Sequence, residues 1–170
     1  VEVLAKLRSV YPGGVQTGGN SSALVDAAAA AVVASGAYAR AEGKKPLARV
    51  VAAAVVGVAP EIMGIGPAPA IQLLLERAGL KLDDIGRFEI NEAQGAQTLA
   101  VGRELGLDLD KLNVNGGAIA LGHPLAATGV RLTITLAREL RRAGLRYGVS
   151  SACIGGGQGI ALLLENPDAA

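Results

Sequence analysis

Two apolar runs near the C-terminus, Tyr147 to Cys153 and Gln158 to Glu165, are separated only by Ile154-Gly155-Gly156-Gly157. A parallel pairing would need a crossover of a dozen or more residues, so these two strands must form an antiparallel hairpin. The segments ahead of it alternate in type. Leu47 to Val58 is a Val/Ala-rich run that reads as a strand covered on both faces. Pro67-Ala68-Pro69 opens a helix to about Ala78, stopped by Gly79. Arg87 to Ile90 reads as a short strand, Asn91 as the cap of a helix through Leu105, and Leu109 to Val114 as a short strand or turn. A long helix is expected from about Ala126 to Ala143, stopped by Gly144. Alternating strands and helices closed by a hairpin predict an α/β layered domain with a mixed sheet.

Residues 1 to 19 read as an irregular entry. Asn20, Ser21 and Ser22 are good caps for an Ala-rich helix from Ala23 to about Arg40, expected to be buried and closely approached. Aromatic residues make up only 2% of the chain, so Ala, Val, Leu and Ile must fill the core, helped by 24 glycines. A formal net charge of +1 and the lack of stacking aromatics exclude a dedicated nucleic-acid surface. Arg138, Arg141, Arg142 and Arg146 read as a solvated helix end with favourable dipole placement. The most apolar region, Val50 to Leu75, is broken by Pro60, Glu61, Gly64, Gly66, Pro67 and Pro69, so no membrane span is expected. A single cysteine forms no internal disulfide, which leads to the expectation of a reducing, cytoplasmic setting. The chain opens on Val with no basic-then-apolar leader and reads as a piece of something longer.

The only histidine and the only cysteine both lie in glycine-rich stretches, His123 in Asn113-Val114-Asn115-Gly116-Gly117…Gly122-His123-Pro124 and Cys153 in Cys153-Ile154-Gly155-Gly156-Gly157-Gln158-Gly159. Glycine sacrifices packing but lets backbone N–H groups approach a ligand closely. Two groups able to titrate near neutral pH in such loops suggest a proton-transfer site. Each residue also has a plain structural reading. A lone His is commonly structural, a Cys in an apolar strand is a small hydrophobe, Asn91 is a helix cap, Met63 fills a core gap, and Ser22 opens a helix.

Taken together and in order, these segments resemble the thiolases. Asn91-Glu92-Ala93, the long histidine block and the cysteine block look like that family's three C-terminal active-site blocks. Gly19-Asn20-Ser21-Ser22 is similar to its coenzyme A contact segment, and Ile62-Met63-Gly64-Ile65-Gly66-Pro67 to a segment at its acyl pocket. The resemblance implies a thiolase-like layered fold, with a mixed five-stranded sheet and covering helices. Residues 1–45 would be the end of the N-terminal part, with the CoA-contact segment and the Ala-rich helix, and residues 46–170 the C-terminal domain.

It also implies acyl transfer between coenzyme A thioesters, by thiolysis of a 3-ketoacyl-CoA or condensation of two acyl-CoA molecules, as in fatty acid metabolism. Cys153 would be the acid/base at the substrate α-carbon. His123 would activate the family's nucleophilic cysteine and donate to the thioester oxygen. Asn91 would hold a water completing that oxyanion site, the N–H of Gly155 would help form a second, and Ser22 would touch the pantetheine arm. Coenzyme A enters as substrate, with no permanently bound cofactor and no metal, and homo-oligomers are the family expectation. The chain departs from the pattern in its single cysteine, since the nucleophilic one belongs to an N-terminal half absent here. Gln94 also replaces an aromatic residue, which bears on pocket shape, Gly95 loosens the helix start, and Ala126 replaces a glycine. A non-catalytic acyl-CoA-binding or assembly module of the same fold is the alternative reading. A decarboxylating ketoacyl-synthase relative is disfavoured, because such enzymes need no cysteine like Cys153.

Overall fold

A computed structural model of the chain describes residues 1–169. Its elements in chain order are α1 (Glu2–Ala5), α2 (Gly36–Ala41), β1 (Arg49–Gly57), α3 (Pro67–Ala78), β2 (Arg87–Ile90), α4 (Gly95–Leu105), α5 (Ala118–Leu121), α6 (Leu125–Ala143), β3 (Tyr147–Ile154) and β4 (Gln158–Glu165), with a 3-10 turn at Pro60–Ile65. The expected hairpin is present. Strands β3 and β4 pair antiparallel from Tyr147↔Glu165 to Ile154↔Gln158, and Gly156 and Gly157 carry the turn at φ of 85° and 91°. The sheet order is β1-β4-β3-β2, with β1 antiparallel to β4 and β2 parallel to β3.

Four strands form where five were expected. Leu112 meets Phe88 in a single parallel bridge, and Asn113 then turns into the left-handed region at φ 47°. A strand does not continue through that conformation, so residues 109–114 reduce to a 3-10 turn and one rung. Helices α3 and α6 fit the sequence reading, each ending on a left-handed glycine, Gly79 and Gly144. Helix α4 starts three residues later than expected. Gln94, not Asn91, is its N-cap, in a reciprocal arrangement with Gln97.

The Ala-rich stretch from Ala23 is not helical. Residues 23–35 have no regular structure and are exposed, and the short α2 is capped by Ser35 instead of the residues at 20–22. Small apolar side chains give a helix nothing to fix it when no packed face supports it. Strand β1 is also less covered than expected. Ala54 is buried, but Val51 and Val55 remain exposed at the sheet edge.

Period-two alternation divides the sheet into two layers. Phe88, Ile90, Val149, Ala161 and Leu163 face α3 and α4 in the main core, while Leu164 packs with Leu136 and Leu140 of α6 on the other side. Gly148 lets α6 come close to β3, because a Cβ there would sit 2.7 Å from the Leu136 side chain. Glu89, between Phe88 and Ile90, points to the α6 layer.

The α6 layer also holds Glu139, which is 2% exposed. Its carboxylate accepts two bonds of 2.8 Å from Arg142, one of 3.1 Å from Asn115 and one of 3.3 Å from Arg87. The Arg142 hydrogen bonds, ahead of those from Asn115 and Arg87, hold its pKa near 2 against the opposing effect of burial. Glu139→Ala is expected to cost about 2 kcal/mol in urea unfolding at neutral pH, because charged hydrogen bonds are lost. The folded-state pKa is below the unfolded one, so this stabilisation is complete above the ordinary carboxylate value. It is lost as pH falls toward 2. Wild type and variant should therefore converge in acid.

A second constraint lies where the 3-10 turn meets the hairpin. Gly66 and Gly159 touch backbone to backbone, so a Cβ on Gly159 would overlap the Gly66 carbonyl. Gly159→Ala should destabilise by about 3 kcal/mol, read as a lower urea midpoint, since backbone yields less than a side chain.

Candidate active site

The parallel strands β2 and β3 end together, with Ile90 opposite Ser151. Asn91 directly follows β2 and donates its N–H to the Ser151 carbonyl at 2.9 Å, two residues before Cys153. Carboxyl ends of parallel strands are where α/β folds gather chemistry. The loop carrying His123 is folded over this end by one side chain. Asn113 Oδ1 accepts from the Ile90 N–H and its Nδ2 donates to the Ile90 carbonyl, both at 2.9 Å. The same Nδ2 donates to Glu92 at 2.8 Å, and Glu92 also accepts the Ile119 N–H at 3.2 Å. Gly117 is required beside it, because a Cβ there would overlap the Glu92 carboxylate.

These clamps bring His123 to Asn91. His123 Nε2 lies 3.4 Å from Asn91 Nδ2, and Nδ1 lies 2.7 Å from Thr128 Oγ1. The Thr128 hydroxyl gives its one proton to the Pro124 carbonyl at 3.0 Å, so it accepts from the ring. Nδ1 therefore carries the proton, and Nε2 offers its lone pair toward Asn91. Burial, then the Arg131 cation, lowers the imidazole pKa from its ordinary value. The ring is thus a neutral base with a fixed tautomer. Asn91 is 1% exposed, and its Oδ1 is buried without a protein partner, an open acceptor beside that base.

Cys153 is half-buried near the end of β3, and burial raises its thiol pKa above the ordinary value. It is a thiol at neutral pH, able to give a proton. Gly155 lies in the exposed turn just beyond, with open space where a Cβ would point. The turn is braced by the Val58 N–H, which donates to the Gly157 carbonyl at 2.8 Å. Met63 lies in the 3-10 turn between hairpin and α4. Gly66 of that turn touches Gly159, and a Cβ on Gly64 would come 2.8 Å from Gln97. Gln94 accepts from Gln16 at 2.6 Å and pairs with Ser21 in an isolated bridge. Ser22 is no helix cap. Its N–H and hydroxyl both donate to the Ala93 carbonyl at 3.1 Å. The His123 N–H donates to Ala23 at 2.8 Å, and a cleft of about 370 Å³ opens between Leu24–Ala27 and His123–Ala126.

The structure thus joins Asn91 and His123 by a contact, and Cys153 and Gly155 to them through the β2–β3 pair. Ser22 and Gln94 attach through the chain after Asn91. The positioning role of Thr128 was not read from the sequence. Its signal was a threonine four residues after Pro124, the spacing at which a helical hydroxyl bonds back to the carbonyl. Glu92 and Asn113 stood inside quoted blocks but had no role until the loop closed on them. Buried Glu89 and half-buried Arg131, which meet at 3.5 Å, were also missed. A charged residue alternating with Phe88 and Ile90 in a strand was the signal there.

Residues 44–166 match the family model described as thiolase, C-terminal domain. The chain is 52% identical over 167 residues to human mitochondrial 3-ketoacyl-CoA thiolase, covering 98% of this chain and 42% of that protein. It is 51% identical over 165 residues to an acetyl-CoA acetyltransferase of Pseudomonas aeruginosa, covering 96% and 42%. The crystal structure of human mitochondrial 3-ketoacyl-CoA thiolase in complex with CoA superposes with a TM-score of 0.90 at 47% identity, over 97% of this chain and 42% of that one. The Bacillus anthracis acetyl-CoA acetyltransferase gives 0.89 at 45%, over 96% and 42%. The chain therefore spans less than half the length of these relatives. The cytoplasmic expectation is overturned by the mitochondrial relatives: a lone thiol fits any reducing compartment and does not single out the cytoplasm. The matched family model and these identities over almost the whole chain show that it belongs to the thiolase family.

Proposed function

We propose that this chain supplies the asparagine, histidine and acid/base-cysteine half of a site for acyl transfer between coenzyme A thioesters. The observation that carries the reading is the His123 tautomer. A ring gripped at Nδ1 by Thr128 and unprotonated at Nε2, which faces Asn91 Nδ2 at 3.4 Å, is built to take a proton from a nucleophile supplied from outside this chain. The relatives named 3-ketoacyl-CoA thiolase and acetyl-CoA acetyltransferase support the substrate class. The missing N-terminal half is the required partner, supplied by a longer chain or a second subunit, and the assembled enzyme is a homo-oligomer. Coenzyme A acts as substrate, with no resident cofactor.

In the cleavage direction, His123 Nε2 takes the proton of the nucleophilic thiol. The thiolate attacks the ketone carbon, and the Gly155 N–H helps stabilise the developing oxyanion. The bond between the α-carbon and that carbon breaks, and its electron pair forms the enolate of acetyl-CoA. The protonated ring and a water held by Asn91 donate to the thioester oxygen of this enolate while the Cys153 thiol gives its proton to the α-carbon. Cys153, now a thiolate, takes the proton of incoming coenzyme A, whose sulfur bonds to the acyl carbon; the bond to the nucleophilic sulfur breaks, and that sulfur recovers its proton from His123. The raised Cys153 pKa suits the donor role, which needs the thiol form. Ser22 contacts the pantetheine arm, and Met63 and Gln94 shape the acyl pocket.

Completed with an N-terminal thiolase half, the chain should cleave acetoacetyl-CoA. His123→Ala and Cys153→Ala should each lower kcat by roughly 10²–10⁴-fold. Full rate in Cys153→Ala would remove the acid/base assignment, and tight CoA binding without turnover would favour a non-catalytic binding module. In the pH profile of kcat/KM, the lowered imidazole pKa places the His123 limb below 6.5, with activity lost as pH falls through it. The raised thiol pKa places the Cys153 limb above 9.0, with thiolysis lost as pH rises through it. Thr128→Val, which removes the acceptor for Nδ1–H, should cut kcat about tenfold, as expected for a loosened base.

A further inference from the structure

Arg131 lies one helical turn beyond Thr128 on α6, and Glu89 lies two residues before Asn91 on β2. Those spacings put each of them on the same face as its neighbour. Their side chains meet with Arg131 Nη1 3.5 Å from Glu89 Oε2, and Glu89 is 1% exposed. At that separation neither atom completes a hydrogen bond, and Arg131 Nη1, Arg131 Nη2 and Glu89 Oε2 are buried without other partners. A buried pair with idle donors and an idle acceptor is a poor device for stability alone.

Resting on the reading of His123 as a base, we propose that Arg131 and Glu89 are a positioning pair for that ring. They hold α6 against β2, so that Thr128 and Asn91 grip opposite nitrogens of one imidazole, and the guanidinium repels a second proton from it. Burial, opposed in part by Arg131, pushes the Glu89 carboxyl up to about 7, helped by the nearby charges of Glu92 and Glu139. Glu89 is therefore mostly proton-bearing where His123 titrates, and leaves the Arg131 cation uncompensated there. The other charges near the ring are occupied or screened. Glu92 is held by Asn113 and Ile119, and Glu139 by Arg142, Arg87 and Asn115. Asp26, on the segment across the cleft, is exposed to solvent.

His123 is the only imidazole of the chain, so ¹⁵N-histidine NMR of the 170-residue chain reads this ring alone. The wild type should show the Nδ1–H tautomer and a midpoint below 6.5. Arg131→Met should move the midpoint upward, Arg131→Lys should keep it low, and Glu89→Gln should leave it in place. Should the unpaired acid unfold Arg131→Met, the double variant Arg131→Met/Glu89→Leu replaces the pair by apolar groups and should show the same upward move. An unchanged midpoint and tautomer in the charge-removed variants would overturn the proposal. An equal rise in Arg131→Lys, tracing the effect to shape instead of charge, would also overturn it. The titration does not depend on turnover. A shift as expected in a chain that never cleaves thioesters after completion would sink the catalytic reading and leave this one standing.

Discussion

At the end of β2 the histidine loop is fastened to Ile90 by one side-chain amide. Asn113 places its side chain along the backbone of Ile90, accepting the N–H and donating to the carbonyl, as a further strand would. It thereby satisfies two buried polar groups at the end of β2 without extending the sheet. Its left-handed φ of 47° then turns the chain away, so the rung at Leu112 is the last. The glycines after it make the closure possible. Gly116 has φ of 87°, and Gly117 leaves room for Glu92. Closure is what puts Nε2 of His123 beside Asn91, instead of leaving the two residues on separate elements. The missing fifth strand and the assembled half-site therefore have one cause.

Much of this was legible because it is local. The hairpin follows from the length of its turn, and α3 and α6 from proline, glycine and apolar spacing, all within a few residues of the positions they decide. The errors fell where a residue's partner is distant or absent. Asn91 has the side chain of a cap, but a histidine 32 positions later claims it, and the cap passes to Gln94. Ser22 likewise looked like a helix start, while its hydroxyl belongs to Ala93, 71 positions away. A propensity rule weighs only the neighbours a residue has in sequence. The alanine run shows the same limit from the other side. Helix propensity alone does not hold residues 23–35 when no packed helical face supports them.

The candidate site was legible as a set of blocks and not as a geometry. The sequence offered a histidine and a cysteine in glycine-rich loops, which together suggest a proton-transfer site. The fold gives them different partners. His123 answers to Thr128, Asn91 and Arg131, whereas Cys153 is set by its burial at the end of β3. Opposite shifts follow, the imidazole held neutral and the thiol held protonated. A site that must both accept and give protons needs that division, and two environments on one scaffold provide it.

The polar groups left idle are consistent with half of something larger. Asn91 Oδ1, beside the unprotonated Nε2, is buried yet has no partner among the described residues. An orphaned acceptor next to an unprotonated ring nitrogen is costly unless an external donor completes it. The exposed run from Leu24 to Val33 lines the cleft with its first four residues, and its apolar side chains face solvent. Bringing in the remaining part of a thiolase would act on both at once, covering the apolar run and delivering a thiol proton to Nε2. On this view the acid-base machinery is preorganised by contacts internal to the chain, from Asn113 through Thr128. On the proposed function, the nucleophile would come with the part that completes the site.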